Sequence, residues 1–225
     1  MNENYYAQKL NSQKLHQVYE TKIERVKRYL DAEIRFVAEH LSGNEKILEL
    51  GAGYGRIMKE LAPHAGSILG IDISASSVAL GKEYLKDVPN CRIEVLDAHD
   101  VDCDSEFDVV LGLQNALSAL KGSAPDVVRR AVGALVPGGK AFFSTYSPRF
   151  WLHRLEWFQE QAEKGLLGEI DPEKTRDGLI VCRDGFTATT FTAKDLEQLA
   201  LEIGCVFHIS EVDESSLFLI LEKGT

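Results

Sequence analysis

At 225 residues, with 44% hydrophobic and 27% charged positions, the chain has the make-up of one globular domain, which excludes a disordered or fibrous class. A formal net charge of -10 and the lack of any dense Lys/Arg run exclude a nucleic-acid backbone as partner. Cys91, Cys103, Cys182 and Cys205 form no CxxC pair and the histidines lack ligand spacing, so a reduced, metal-free cytoplasmic protein is expected, as monomer or homodimer.

The first segment, residues 5–41, is helical in pattern, with apolar positions recurring every three to four residues and a break near Glu20 and Thr21. Its second half is expected to pack on a sheet, and Gly43 suits a left-handed helix cap. Lys22, Arg25, Lys27 and Arg28, interleaved with Glu20, Glu24 and Asp31, read as a solvated helix face. The start lacks the apolar core of a signal peptide, and no apolar run approaches the ~20 residues that span a bilayer, so no membrane is expected.

Strand patterns at 46–50, 67–71, 91–96, 107–111 and 139–145 then alternate with helical patterns at 55–62, 76–86 and 125–135. That rhythm predicts a parallel sheet covered on both faces. Pro137, Gly138 and Gly139 are expected to turn the chain out of a helix and into the fifth strand. The rhythm changes at Pro148: "RFWLHRLEWFQEQAEKGLLGEI" reads as an amphipathic helix and "LIVCRDGFTATTFT" as two strands joined at Asp184-Gly185. Thr192 and Gly204 bracket a last helix, and strands at 205–212 and 217–222, joined through "DESS", close the chain. The expected organisation is a helical lid over 1–43 and a main domain over 44–225, with 148–191 inserted as a cap.

The glycines of "LELGAGYG" follow the first strand, where ligands of doubly wound sheets bind. Gly51 and Gly53 allow positive φ and let a ligand approach bare backbone. Their G-x-G-x-G spacing departs from the dinucleotide fingerprint G-x-G-x-x-G. Asp72 ends the second strand about 20 residues on, where a carboxylate accepts from ribose hydroxyls. A nicotinamide enzyme and a nucleoside-binding transferase share both features. Glu49 before the glycines, Asp97 in "VLDAHD" and the strand end "LGLQNAL" separate the two.

With those four motifs in order, residues 46–222 resemble a class I S-adenosylmethionine-dependent methyltransferase. The resemblance implies an α/β, doubly wound, Rossmann-like sheet of seven strands, mostly parallel with an antiparallel C-terminal strand. It implies S-adenosylmethionine as methyl donor, S-adenosylhomocysteine as product, and a small-molecule acceptor with a nitrogen or oxygen nucleophile. By the same resemblance Gly51, Ala52 and Gly53 pass under the methionine part and Glu49 orients the loop and the amino group. Asp72 holds the ribose, Ile73 lies on the adenine, Asp97 accepts from its amino group, the backbone N–H of Ala98 faces a ring nitrogen, and the Leu113 carbonyl takes the methionine ammonium. His99 fits no assigned pattern, and Tyr54 and Arg56 read as surface or lid contacts.

Methyl transfer chiefly needs alignment and exclusion of water, with a base only for a protonated acceptor. Tyr6, His153 and Asn115 are the catalytic candidates, and Tyr5, Tyr146, Arg149, Trp151 and Arg183 the substrate contacts, since they fall in the two segments outside the sheet rhythm or at the mouth of the site. Two rivals remain: an NAD-dependent oxidoreductase, which leaves Asp97 and the terminal hairpin unexplained, and a non-catalytic S-adenosylmethionine-binding module.

Overall fold

The computed structural model describes residue 5 and residues 9–224; Tyr6 lies outside the described residues. Helices α1 (Ser12–Tyr19) and α2 (Glu24–Ala38) lead into β1 (Lys46–Leu50), α3 (Arg56–Leu61), β2 (Ser67–Asp72), α4 (Ala75–Tyr84), β3 (Cys91–Val95) and β4 (Phe107–Gly112). Then come α5 (Ala116–Ala119), α6 (Ala124–Ala134), β5 (Leu135–Tyr146), α7 (Trp151–Glu163), β6 (Leu179–Val181), β7 (Thr187–Thr189), α8 (Ala193–Ile203), β8 (Val206–Val212) and β9 (Ser216–Glu222).

Seven strands form one sheet in the order β3-β2-β1-β4-β5-β9-β8, and β6 pairs β7 apart from it. Strands β1 to β5 pair parallel, whereas β9 runs antiparallel to both β5 and β8. The expected architecture is therefore present. Alternate residues of β1 feed opposite cores: Leu48 and Leu50 pack with α6 and α8, and Ile47 packs with Met58, Val78 and Phe218. A strand buried on both faces reads as a continuous apolar run, and after the exposed Lys46 "ILEL" does so except at Glu49.

The leader breaks where expected. Lys164 Nζ donates to the Glu20 carbonyl at 2.8 Å, Trp157 Nε1 donates to the Val18 carbonyl at 3.2 Å, and Thr21 Oγ1 accepts from the Ile23 N–H at 3.1 Å. These bonds satisfy the carbonyl end of α1 and turn the chain. The end of α2 packs on the sheet, with Phe36 and Phe218 ring centroids 4.5 Å apart. A third core joins the leader to the inserted segment: Val18, Val26, Tyr29 and Leu30 pack with Phe150, Trp157, Phe158 and Ile180.

Three expectations need correction. Strand β5 starts at Leu135, so the Pro137–Gly139 stretch is part of the strand; a register shift between Phe107 and Val109 absorbs it, and Gly138 N–H donates to the Lys223 carbonyl at 2.9 Å. The inserted helix stops at Glu163, since Gly165 takes φ +69° and buried Leu166 and Leu167 continue as loop. Arg25 is not on a solvated face: it donates to the Asp213 carboxylate at 2.8 Å and to the Asp213 carbonyl at 2.6 Å, and its side chain is only 16% exposed. Among the described residues, no helix is long and apolar enough to cross a membrane.

Candidate active site

A cavity opens at the carboxyl ends of β1 to β4, walled by the strand-end loops, by α1 and by the inner face of α7. Its floor is the glycine loop. Gly51 and Gly53 take φ +71° and +59°, and a Cβ on Gly53 would come within 2.7 Å of Leu15 Cδ2 in α1. Bare backbone is thus needed both for the turn and for the space above it.

The loop is braced from the neighbouring strand. Asp72 Oδ2 accepts from the Gly53 N–H at 2.9 Å and Oδ1 from the Ser74 N–H at 2.8 Å, while burial pushes its carboxyl up against the pull of those two bonds. Carboxylate oxygens accept more than one donor each, so lone pairs remain for a ligand. Ser74, not Asp72, caps α4 through the Ser77 N–H.

Glu49 is 3% exposed, and its Oε2 has no hydrogen-bond partner. Burial pushes its carboxyl up to about 8, opposed by Arg56 and reinforced by Asp72. At the other end, Asp97 Oδ1 accepts from the His99 N–H at 2.9 Å and meets His99 Nδ1 at 2.8 Å. Burial works to raise Asp97, but the His99 backbone and ring bonds hold it below the usual carboxylate range. His99, unassigned from sequence, thus orients Asp97.

The turn after β4 is strained: Gln114 and Asn115 take φ of 55° and 64°, which non-glycine residues seldom adopt. It is held from three sides. Gln114 N–H donates to Ser144 Oγ at 2.7 Å and to Glu33 Oε2 at 3.0 Å, and Asn115 N–H donates to the Ser144 carbonyl at 3.0 Å. Glu33 is fully buried on α2 and also accepts from Ser216 Oγ at 2.6 Å; burial raises its carboxyl to about 7 against those bonds.

Glu49, Gly51, Ala52, Gly53, Asp72, Ile73, Asp97, Ala98 and Leu113 all line this cavity, and so does Tyr146. The other candidates among the described residues do not. Asn115 is buried with its amide committed, Nδ2 donating to the Thr189 carbonyl at 2.8 Å and Oδ1 accepting from Thr145 Oγ1 at 2.9 Å, so it pins the β6-β7 hairpin. His153 has a 44% exposed side chain beside Glu156. Arg149 pairs with Glu214 at 2.9 Å and Arg183 with Glu169 at 3.2 Å, both on the surface. Trp151 packs against the lid core, and the Tyr5 hydroxyl donates to Asp184 with its ring edge-on to Phe186.

Sequence reasoning missed Arg56, Tyr19, Glu33 and Gln161. Arg56 lines the cavity with its guanidinium 4.5 Å from the Tyr19 ring centroid, and Tyr54, buried with its ring edge-on to Tyr84, lines it too. The signal for Glu33 was present: it falls on the apolar stripe Val26, Tyr29, Leu30, Val37 of α2. Gln161 similarly shares the buried face of α7 with Trp157 and Phe158.

Residues 47–139 match the family model described as a methyltransferase domain. The chain is 25% identical over 128 residues to the ubiquinone biosynthesis O-methyltransferase of Coxiella burnetii (strain Dugway 5J108-111), covering 55% of this chain and 50% of that one. It spans about half the length of the curated relatives it matches. A SAM-dependent methyltransferase from Methanosarcina mazei superposes with a TM-score of 0.60 at 21% identity, over 84% of this chain and 97% of the other. The N-methyltransferase NodS from Bradyrhizobium japonicum WM9, solved with S-adenosyl-L-homocysteine, superposes with a TM-score of 0.64 at 16% identity, over 99% of this chain and 100% of the other. At these identities the likeness is one of fold.

Proposed function

Because residues 47–139 form a methyltransferase domain within a class I S-adenosylmethionine-dependent methyltransferase fold, we propose that the chain methylates a small-molecule nitrogen or oxygen acceptor in this cavity. The observation that carries this reading is that three strand-end carboxylates, Glu49, Asp72 and Asp97, and the left-handed Gly51 and Gly53 front one cavity. The unpaired Oε2 of Glu49 fits an ammonium, and the bare backbone of Gly51 and Gly53 at the cavity wall lets a ligand lie against the loop.

In this reading Asp72 accepts from the ribose hydroxyls, Ile73 lies on the adenine, Asp97 accepts from its amino group, the Ala98 N–H faces a ring nitrogen, and Glu49 with the Leu113 carbonyl takes the methionine ammonium. Ile73 suits its part, since it is 43% exposed at the cavity wall. When bound, the sulfonium supplies a methyl group to an in-line nucleophile. The chain's part is alignment and water exclusion, which can remove ~7–11 kcal/mol of barrier. Among the described residues no histidine lines the cavity.

The acceptor would sit under α1 and α7, against Tyr146, Trp157, Gln161 and Gln114. Residues 1–43 and 148–191 act together as its lid, a role supported by the core they share. A net charge of -10 favours a small acceptor over RNA, and four free cysteines suit a reduced, cytoplasmic setting.

Calorimetry with S-adenosylhomocysteine and with NAD tests the reading. Micromolar binding of the first and none of the second is expected; the reverse would sink it. A turnover screen over small amines, phenols and acids then separates an enzyme from a binding module.

A further inference from the structure

Charge is unevenly placed around the cavity. Among the described residues that line it, Glu49, Arg56, Asp72 and Asp97 are the charged ones, and all four come from β1 to β3 or the turns that follow them. Every lid residue at the cavity is uncharged, Val18 and Tyr19 of α1 and Trp157, Phe158 and Gln161 of α7 among them. Composition does not dictate that neutrality, since α7 reads WLHRLEWFQEQAE. Its charges are turned elsewhere: Glu156 meets His153 at 3.7 Å, Glu160 meets Lys164 at 3.1 Å, and Arg154 donates to the Ala188 carbonyl at 3.0 Å.

Two carboxamides supply polar groups where the acceptor would sit. Gln114 Nε2 is buried without a hydrogen-bond partner, and Gln161, 3% exposed, has a side chain that makes no hydrogen bond among the described residues. A carboxamide both donates and accepts, so it serves neutral carbonyl and hydroxyl groups and brings no charge to balance an ion. Aromatic walls ordinarily attract cations. Here they already hold two: the guanidinium of fully buried Arg154 lies 4.5 Å from the Tyr146 ring centroid and 5.4 Å from that of Phe158, and Arg56 lies 4.5 Å from that of Tyr19. A further cation would meet rings whose attraction is spent and a positive charge beyond them. An anion finds no counter-ion under the lid either, because Arg154 does not line the cavity and Arg56 stands on the floor, where its charge acts on Glu49.

We propose that the acceptor is an uncharged ring compound bearing carbonyl or hydroxyl groups, recognised by the carboxamides of Gln161 and Gln114, and that Arg154 bars cationic acceptors from the aromatic wall. The proposal rests on the methyl-transfer reading above and narrows its acceptors to neutral ones. Gln161 and Gln114 touch the acceptor directly. Arg154 acts only through the rings of Tyr146 and Phe158, so its part is selection rather than contact.

Ligand-observed NMR titration of the full chain, saturated with S-adenosylhomocysteine near neutral pH, tests it with three phenols of similar size. Methyl 4-hydroxybenzoate is neutral, 4-hydroxybenzoate is an anion and tyramine is a cation. The ester is expected to bind about ten-fold or more tightly than either ion, the effect of one uncompensated charge. Gln161→Leu should weaken the ester about five-fold, and Gln161→Glu, nearly the same shape, should reverse the order in favour of tyramine. An S-adenosylhomocysteine affinity within about two-fold of wild type reports that each variant is folded. Arg154→Met should raise tyramine against the ester by about five-fold, and Arg154→Lys should keep the wild-type order. A change that moves both ligands alike would leave Arg154 a structural residue and overturn its part. The neutral subsite is overturned if either ion matches the ester on wild-type protein, if none of the three binds the loaded protein, or if Gln161→Glu leaves the order unchanged. Should S-adenosylhomocysteine itself fail to bind, the donor reading falls and this proposal with it, a result distinct from the others.

Discussion

Glu33 and Gln114 are 81 residues apart in sequence, yet the Glu33 carboxylate accepts the Gln114 N–H at 3.0 Å. Through this contact the leader helix α2 holds the left-handed turn that presents Leu113 and Gln114 to the cavity. Glu33→Ala should destabilise the protein by ~1–3 kcal/mol, the cost of leaving the Ser216 hydroxyl and the turn N–H less well satisfied in the interior. Urea denaturation measures this. Donor affinity should fall too, since the turn loses one of its three supports; unchanged affinity in a destabilised variant would confine Glu33 to folding.

The same residue makes stability depend on pH. Burial raises Glu33 to about 7 and Glu49 to about 8, both from an ordinary value of 4.5. Between those values the folded chain holds more protons than the unfolded one, so stability falls as pH rises. Their contribution is fully present below 4.5 and is lost as pH rises through about 7 for Glu33 and about 8 for Glu49. Asp97, Asp184 and Asp195 are shifted the other way, and their effect is confined to acid pH below this window. Thermal denaturation from pH 5 to pH 9 should therefore show a declining Tm, and Glu49→Gln should flatten the upper part of the decline while weakening donor binding.

Asp72→Ala should cost donor affinity ~1.5–3 kcal/mol, the range for a lost charge-assisted hydrogen bond. The bonds from the Gly53 and Ser74 N–H groups add a second effect, a loss of folding stability in the absence of any ligand. Calorimetry and denaturation on the same variant separate the two. A variant that binds normally would remove Asp72 from the ribose.

Gly53→Ala places a Cβ 2.7 Å from Leu15 Cδ2 at a φ of +59°. Leu15 is a flexible side chain and can shift, so the larger cost is the left-handed backbone, ~1–2 kcal/mol for an L-residue. Donor affinity should fall further than this, because the added methyl and the displaced Leu15 occupy the space above the loop. Measuring stability and affinity side by side checks that order.

The sheet was legible because helices separate β1 from β2, β2 from β3 and β4 from β5, and the acidic site residues because each stands at or beside a strand end that faces the crevice. What periodicity does not give is the phase of a helix against its neighbours. In α7 the buried face is Arg154, Trp157, Phe158 and Gln161, so two polar residues mark the inner stripe while His153 turns outward. A reading that places apolar residues inside and a histidine in the site selects the wrong face. Arg149, Arg183 and Asn115 lie off the cavity for a related reason: they pair with Glu214, Glu169 and Thr189, and such pairing is set by packing.

Strand β9 lies between β5 and β8, with Phe218, Leu219 and Leu221 fully buried. The last strand in sequence is therefore an interior strand. During synthesis the five parallel strands emerge first, and the edge of β5 stays open until residues 216–222 leave the ribosome. Open edges of that kind invite pairing with other chains. The Arg25–Asp213 contact, 188 residues apart, closes just as late, so this tie between the leader and the sheet is made only once the hairpin has formed. A ribosome-bound chain halted before residue 216 should be open to proteases in its leader as well as at its unfinished sheet edge.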